Sequence, residues 1–304
     1  MYYKYSDYLK EKYNEKVYKL PINLPLTCPN RDGTKGVGGC IFCSSVGAGF
    51  ETKENTVPIE IQLKENMDYI GSKYKANKFI AYFQNFTNTY LPADEFYENL
   101  KKVTKFKNIV EIAISTRPDC IDKAHLDYAK KIKDEFGIEI MFEMGLQTAN
   151  DNSLKILNRG HTVSDFKKSS ELISSYGFLV GAHIILGLFC DTIDDVINSA
   201  LFLNECKVSN VKCHSLYIVK NTRLAEMYKR NEIKLKTKEE FINEVITFLS
   251  YLNPDCPVQR LLGRAPEEET VFENWGHSWR KILNEIEEEM KKINFKQGYK
   301  LDIK

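Results

Sequence analysis

Three cysteines fall within one short segment, Cys28-Pro-Asn-Arg-Asp-Gly-Thr-Lys-Gly-Val-Gly-Gly-Cys40-Ile-Phe-Cys43. Thiolates are soft ligands, and three of them at a C-x11-C-x-x-C spacing point to metal chemistry. Three thiolates can hold three irons of a [4Fe–4S] cube and leave the fourth iron without a protein ligand. A reactive site needs such an open position, because a cofactor or substrate binds there. A cluster that only carries electrons would normally take a fourth cysteine, and none lies in this loop. Other readings compete. A structural zinc site wants four ligands, usually as two pairs, and the chain has no second C-x-x-C. A thioredoxin-like C-x-x-C leaves Cys28 unexplained. Three unrelated buried thiols are the remaining reading, and a loop with four glycines is an odd place for them.

Polar residues recur at the ends of other apolar runs. Tyr82-Phe83-Gln84-Asn85-Phe86-Thr87-Asn88-Thr89 places amides and hydroxyls behind an apolar stretch. Gln84 and Thr87 suit an amino-acid or ribose moiety, against an ordinary polar turn. In Ile114-Ser115-Thr116-Arg117-Pro118-Asp119, Arg117 is a candidate clamp for a carboxylate or phosphate, unless it pairs with Asp119 to close its own loop. Glu143, Gly145 and Gln147 alternate onto one face of a strand. Glu and Gln side by side in an interior are costly unless they bind something. Asn158-Arg159-Gly160-His161 offers a cation before a helix start, with a core ion pair between Arg159 and Glu143 as the alternative. His183 opens a strongly apolar run and on its own reads as a satisfied core histidine.

These residues need elements to position them. Strand-like runs occur at Tyr18–Leu24, Phe79–Phe86, Ile109–Ser115, Ile138–Leu146, Leu179–Leu188 and Val211–Ile218. Helical patterns lie between them near Ile59–Lys73, Ala93–Lys102, Lys123–Glu135, Val163–Tyr176 and Ile193–Asn204. The alternation predicts an α/β fold of βαβ units with a parallel sheet, a partial (β/α)6 TIM-like barrel. Thr162 with Asp165, Thr192 with Asp195, and Thr237 with Glu240 fit the hydroxyl-x-x-acid start of a helix. From Thr237 the rhythm turns mainly helical, with helices expected at Lys238–Tyr251 and Ser278–Lys292 and a last strand at Val258–Leu262. The expected organisation is a barrel with its N-terminal segment over 1–236 and a C-terminal extension packed on it over 237–304. The cysteine loop then follows the first strand, on the barrel face where active sites form.

The chain has 304 residues, 43 basic against 42 acidic, for a net charge of +1. That balance removes a bulk electrostatic argument for nucleic acid. Local patches at Lys101, Lys102, Lys105 and Lys107, at Lys229, Arg230, Lys234, Lys236 and Lys238, and at Lys291, Lys292, Lys296 and Lys300 read as solvated helix faces. Tyr2, Tyr3, Tyr5, Tyr8 and Tyr13 are read as packing on the barrel rather than meeting bases. No apolar stretch is long enough to span a membrane, and the charged, tyrosine-rich N-terminus lacks a secretory core, so a cytoplasmic location is expected. Eight cysteines in this length are not a disulfide scaffold.

Taken together, the three-cysteine loop, Tyr82–Thr89, Ser115 to Asp119, Glu143-x-Gly145-x-Gln147-Thr148, Asn158 to His161, and Gly187-Leu188 resemble the radical SAM superfamily. The likeness is to the branch holding the Elongator radical-SAM subunit and the YhcC/YtqA-type bacterial proteins, and it runs from Tyr18 to Trp279. It implies that Cys28, Cys40 and Cys43 ligate a [4Fe–4S] cluster. The amino and carboxylate groups of S-adenosylmethionine (SAM) then chelate the open iron. One electron cleaves SAM to methionine and a 5′-deoxyadenosyl radical, which abstracts hydrogen from a substrate. Gln147 and Arg159 match positions that hold the methionyl end of SAM in relatives. Gln84, Thr87 and Ser115 match strand-end positions near its methionyl or ribose groups, and Arg117, Glu143 and His183 complete the candidate cofactor-binding set. The resemblance also implies an electron donor such as flavodoxin or ferredoxin, and tRNA, at a wobble uridine, as substrate. A small metabolite or tetrapyrrole is the second reading, and a non-catalytic iron–sulfur or zinc module the third. Two features depart from the family pattern. Gly187-Leu188-Phe189-Cys190 stands where many relatives have Gly-Leu-Pro-Gly, and Ser115 stands where the broader branch often has an acid. The Elongator acetyltransferase domain has no counterpart here, so acetyl transfer is not carried over. Cys120 and Cys190, near expected strand ends, are candidate radical relays or substrate contacts.

Overall fold

The computed structural model describes residues 1–44 and 52–301. Helix α1 (Tyr5–Tyr13) precedes β1 (Val17–Asn23), and α2 (Ile59–Tyr74) leads from there to β2 (Lys78–Gln84). The alternation continues with α3 (Ala93–Val103), β3 (Ile109–Thr116), α4 (Lys123–Phe136), β4 (Glu139–Gln147), α5 (Asp151–Ile156), α6 (Val163–Ser175), β5 (Leu179–Leu186), α7 (Ile193–Glu205) and β6 (Asn210–Ser215). Strands β1 to β6 form one sheet in sequence order, and every neighbouring pair is parallel. This is the expected half-barrel. Its strands are apolar along nearly their whole length because helices cover one face and the barrel interior the other. Thr162, Thr192 and Thr237 each form the full reciprocal cap with Asp165, Asp195 and Glu240, which sets where the helices begin.

After β6 come the short strand β7 (Ile218–Val219), α8 (Arg223–Lys229), α9 (Lys238–Tyr251), β8 (Thr270–Phe272) and α10 (Trp279–Lys292). Helix α9 packs on α7, and α10 packs on α9. β7 and β8 pair antiparallel. The expected run Val211–Ile218 is thus broken after Ser215, because its last residues turn away to meet β8. The expected strand at Val258–Leu262 is an irregular bridge. Gln259 N–H donates to Val211 O at 2.8 Å on one side, while Val258 N–H donates to Tyr3 O at 2.8 Å on the other. Its backbone groups are divided between β6 and the N-terminal segment, and it covers the open sheet edge.

Helix α1 was not legible in the sequence. It plugs the end of the barrel opposite the strand C-termini, where Tyr5 and Leu9 pack against Ile80, Tyr82 and Met141. Glu111, buried on β3, accepts from Tyr13 Oη at 3.0 Å and from Lys12 Nζ at 3.5 Å. Burial pushes its carboxyl upward, with Lys12 opposing. The N-terminal tyrosines Tyr5 and Tyr13 pack on the barrel, as expected.

Three strands stop where the backbone turns left-handed. β2 ends before Asn85 (φ 72°) and Phe86 (φ 48°), β4 ends at Gln147 (φ 75°), and β5 ends before Gly187 (φ 79°). Such conformations are costly for residues with a Cβ, and they gather where surrounding structure enforces them for a purpose. All four stand on the strand C-terminal rim, the rim that carries the cysteine loop.

Candidate active site

The cysteine loop is held by the chain that follows α5. Ile41 N–H donates to Leu157 O at 3.1 Å, and Asn158 Nδ2 donates to Gly39 O at 2.8 Å. Asn30, itself buried, donates in return to Asn158 O at 2.6 Å. The motif Asn158-Arg159-Gly160-His161 is therefore a cradle for the loop.

Each cysteine of the loop faces its own arginine. Arg159 Nη1 lies 3.3 Å from Cys40 Sγ, Arg31 Nη1 lies 3.5 Å from Cys43 Sγ, and Arg117 Nη1 lies 4.0 Å from Cys28 Sγ. The loop-closing pair weighed for Arg117 also forms. Its Nε and Nη2 donate to the two carboxylate oxygens of Asp119 at 2.9 and 3.0 Å. Burial works against the charge of Asp119, yet the two-pronged bond from Arg117 holds its carboxyl down at about 2. The other alternative does not form: Arg159 donates to Gly145 O at 2.8 Å, not to Glu143. Burial, reinforced by Cys40, pushes the Cys43 thiol up to about 11, with Arg31 opposing. Three thiolates would concentrate negative charge here, and three guanidiniums stand ready to meet it. Among the described residues no three cysteine, histidine or carboxylate side chains converge as a site for a single ion. The donor set, three thiols with one arginine each, fits a multi-iron cluster.

The thiols open onto a cavity of about 170 Å³. Gln84, Thr87, Ser115, Arg117, Gln147, Arg159 and His183 all line it, as do Cys28, Cys40 and Cys43. Thr87 is fully buried and its hydroxyl has no hydrogen-bond partner, which marks a polar group prepared for a ligand. A Cβ on Gly145 would come within 2.7 Å of Gln147 Nε2 and 3.0 Å of Arg159 Nη2, so the glycine lets both side chains reach across the β4 backbone.

Of the candidate cofactor residues only Glu143 is not among the cavity-lining residues. It sits fully buried beneath the cavity floor, where it accepts from Lys19, from His183 Nε2 at 3.0 Å and from Gln259 Nε2 at 2.6 Å. Burial opposes its charge, but Lys19, His183 and Lys212 together hold the carboxyl well below its ordinary range. Burial and then Lys212 depress His183 to about 4, so its imidazole is neutral near pH 7. Neither Cys120 nor Cys190 lines the cavity. Cys120 turns to Asp119, and Cys190 packs beside Leu188, so neither relay role gains support.

A side chamber of about 120 Å³ adjoins the cavity, sharing Phe42, Cys43, Gln147, His183, His214 and Tyr217 with it. Ile185, Leu216 and Val219 complete its apolar wall. His214 is held well below its ordinary value by burial and by Arg260, whose Nη2 lies 2.7 Å from Nδ1. Sequence reasoning missed Asn30, Arg31 and His214. The alternation Lys212-Cys213-His214, which puts Lys212 and His214 on one strand face, was the available signal for the last. The lysine patches are partly neutralised: Lys105 pairs with Glu60, Lys236 with Glu244, Lys238 with Glu285 and Lys292 with Glu289.

A parallel half-barrel whose first rim loop carries three cysteines beside a cavity lined by polar strand-end residues defines the radical SAM class of enzyme. The chain belongs to the radical SAM superfamily: residues 27–203 match it, and residues 208–292 match the Radical_SAM C-terminal domain. Within the superfamily it falls with the YhcC/YtqA branch related to Elongator. It is 34% identical over 302 residues to the uncharacterized protein MJ0486 of Methanocaldococcus jannaschii, covering 98% of this chain and 92% of that one. It is 29% identical to YtqA of Bacillus subtilis, with the same coverages. A tRNA uridine(34) acetyltransferase of Methanocaldococcus infernus is 30% identical over 148 residues, 48% of this chain and 27% of that one. The fold is that of the solved Methanocaldococcus infernus Elp3, with a TM-score of 0.69, 19% identity, and coverage of 92% of this chain and 64% of that one. The protein is a radical SAM enzyme that uses a [4Fe–4S] cluster and SAM. Among the described residues no helix is long and apolar enough to cross a membrane.

Proposed function

We propose that this enzyme modifies tRNA at a wobble uridine. The observation that carries the reading is the side chamber. Its walls are aromatic and aliphatic, its two histidines are neutral, and it opens directly beside Cys43. A flat uncharged base fits such a lining by stacking and by hydrogen bonds to neutral groups. The partial likeness to a tRNA uridine(34) acetyltransferase supports the same substrate class.

In this reading Cys28, Cys40 and Cys43 hold the cluster, and Gln84, Thr87, Ser115, Gln147 and Arg159 hold SAM. Bound together, the cluster and SAM supply a 5′-deoxyadenosyl radical at the cost of one electron. The chain's own contribution is placement. The left-handed turns at Asn85 and Gln147 set these polar residues in the cavity wall, the orphaned Thr87 hydroxyl offers a donor, and Glu143 fixes His183 from below. Flavodoxin or ferredoxin as reductant and a cytoplasmic site of action complete the proposal.

The test is mass spectrometry of tRNA nucleosides from cells with and without the gene. Loss of one modified uridine, restored by the wild type but not by Cys43→Ala, is the expected result. An unchanged nucleoside profile overturns the tRNA reading in favour of a small-molecule substrate.

A further inference from the structure

We propose that Arg31, Arg117 and Arg159 form a cationic cage, one guanidinium to each cluster thiolate, that favours the reduced cluster and so sets how readily it accepts its electron. The inference rests on Cys28, Cys40 and Cys43 being the ligands.

The pairing is one to one, and each arginine comes from a different part of the fold. Arg31 belongs to the cysteine loop, Arg117 follows β3, and Arg159 follows α5. Each is fixed by contacts beyond the sulfur. Arg117 is braced by both oxygens of Asp119, and Arg159 by Gly145 O at 2.8 Å. Arg31 donates to Ser44 O at 2.6 Å and lies over the Phe86 ring, 5.2 Å from its centroid. That ring is carried by a residue at φ 48°. Gly39 leaves room for the arginine stem, since a Cβ there would lie 2.9 Å from Arg31 Cγ. An unusual backbone at Phe86 and a glycine at position 39 thus serve the placement of one guanidinium.

The charge balance gives the cage its effect. A cube with a dicationic core and three thiolates carries one net negative charge, and one electron from a low-potential donor makes it two. No bond forms or breaks, and no proton is required. Fixed positive charge at the sulfurs stabilises the more negative state more strongly, and hydrogen bonds to the sulfurs act in the same direction. Arginine suits the task because its guanidinium stays protonated and its donors are rigidly forked.

Arg31 is the residue to change, because Arg117 also anchors Asp119 and Arg159 also anchors β4. The experiment is a redox titration of the anaerobically reconstituted protein, followed by electron paramagnetic resonance without SAM. Arg31→Gln should lower the reduced-to-oxidised ratio at a fixed potential by about tenfold, equivalent to about 59 mV for one electron. Arg31→Lys, which keeps the charge but not the fork, should fall between it and the wild type. The cage is overturned if Arg31→Gln, with full iron and sulfide content, titrates like the wild type. Should Arg31→Gln take up no iron, the charge account still requires Arg31→Lys to take up a full cluster, and failure of both overturns it. A wild-type protein that takes up no iron would instead remove the cluster assignment beneath the cage.

Discussion

Gly160 stands so close to Asn30 that a Cβ on it would lie 2.7 Å from the Asn30 side-chain oxygen. Asn30 in turn reaches Cys40 Sγ at 3.6 Å and Asn158 O at 2.6 Å. This contact joins the cysteine loop to the segment after α5, two stretches about 130 residues apart in the chain.

Gly160→Ala should therefore damage the loop from a distance. The residue has φ +69°, where a side chain is strained, and the new methyl group would displace Asn30. A stability loss of about 1–3 kcal/mol is expected. The sharper readout is iron content after reconstitution, which should fall although no ligand is altered. Normal stability and full iron content would show that the loop accommodates the methyl group.

The sheet and its helices were legible because they depend on local signals. Six apolar runs, separated by amphipathic segments with hydroxyl caps at Thr162, Thr192 and Thr237, specify the half-barrel almost without tertiary information. Helix α1 escaped because its residues are polar and tyrosine-rich. It is held by Glu111 and by a stripe made mainly of tyrosines, Tyr5, Leu9 and Tyr13, packed into the barrel end. In the site, the cysteines and strand-end residues were readable from type and position. Arg31 lay in plain view inside the motif, but its partner was set by the fold. The separation of Arg159 from Glu143 was equally invisible, because only the left-handed turn at Gln147 and the approach of Lys19 from β1 decide which partner each takes.

Lys19 and Glu143 offer a second test. The carboxylate is fully buried, and Lys19, His183 and Gln259 surround it. Removing one member of such a group strands the others in a poorly solvating interior. Glu143→Gln and Lys19→Met should each cost about 3 kcal/mol, at the low end for a broken buried pair. The double variant should cost clearly less than the sum, because the second change relieves the charge that the first left behind. Urea unfolding of the four proteins gives the cycle, and strictly additive losses would show that the two groups do not couple.

Acid stability should depend on His183 in the cavity wall and on the buried His161. His183 is depressed from an ordinary value near 6.5 to about 4 by burial and Lys212, and His161 to about 3 by burial and Arg159. Below pH 6.5 the unfolded chain therefore binds protons that the folded chain refuses, so unfolding gains as pH falls. The loss begins near pH 6.5 and continues until the folded histidines themselves titrate, near pH 4 for His183. Its contribution across that window is up to about 3 kcal/mol, taking about 1.4 kcal/mol per unit. Glu143 acts in the same direction further down, since a carboxyl held below its ordinary range loses its stabilisation as pH falls from that ordinary value to its folded one. His183→Asn removes the titrating ring but keeps a donor toward Glu143. It should flatten the decline in urea midpoint between pH 6.5 and pH 4 relative to the wild type measured in parallel. Curves of equal slope would mean that His183 accepts its proton in the folded state as easily as in the unfolded chain, and that the floor of the cavity is more open to water than its burial indicates.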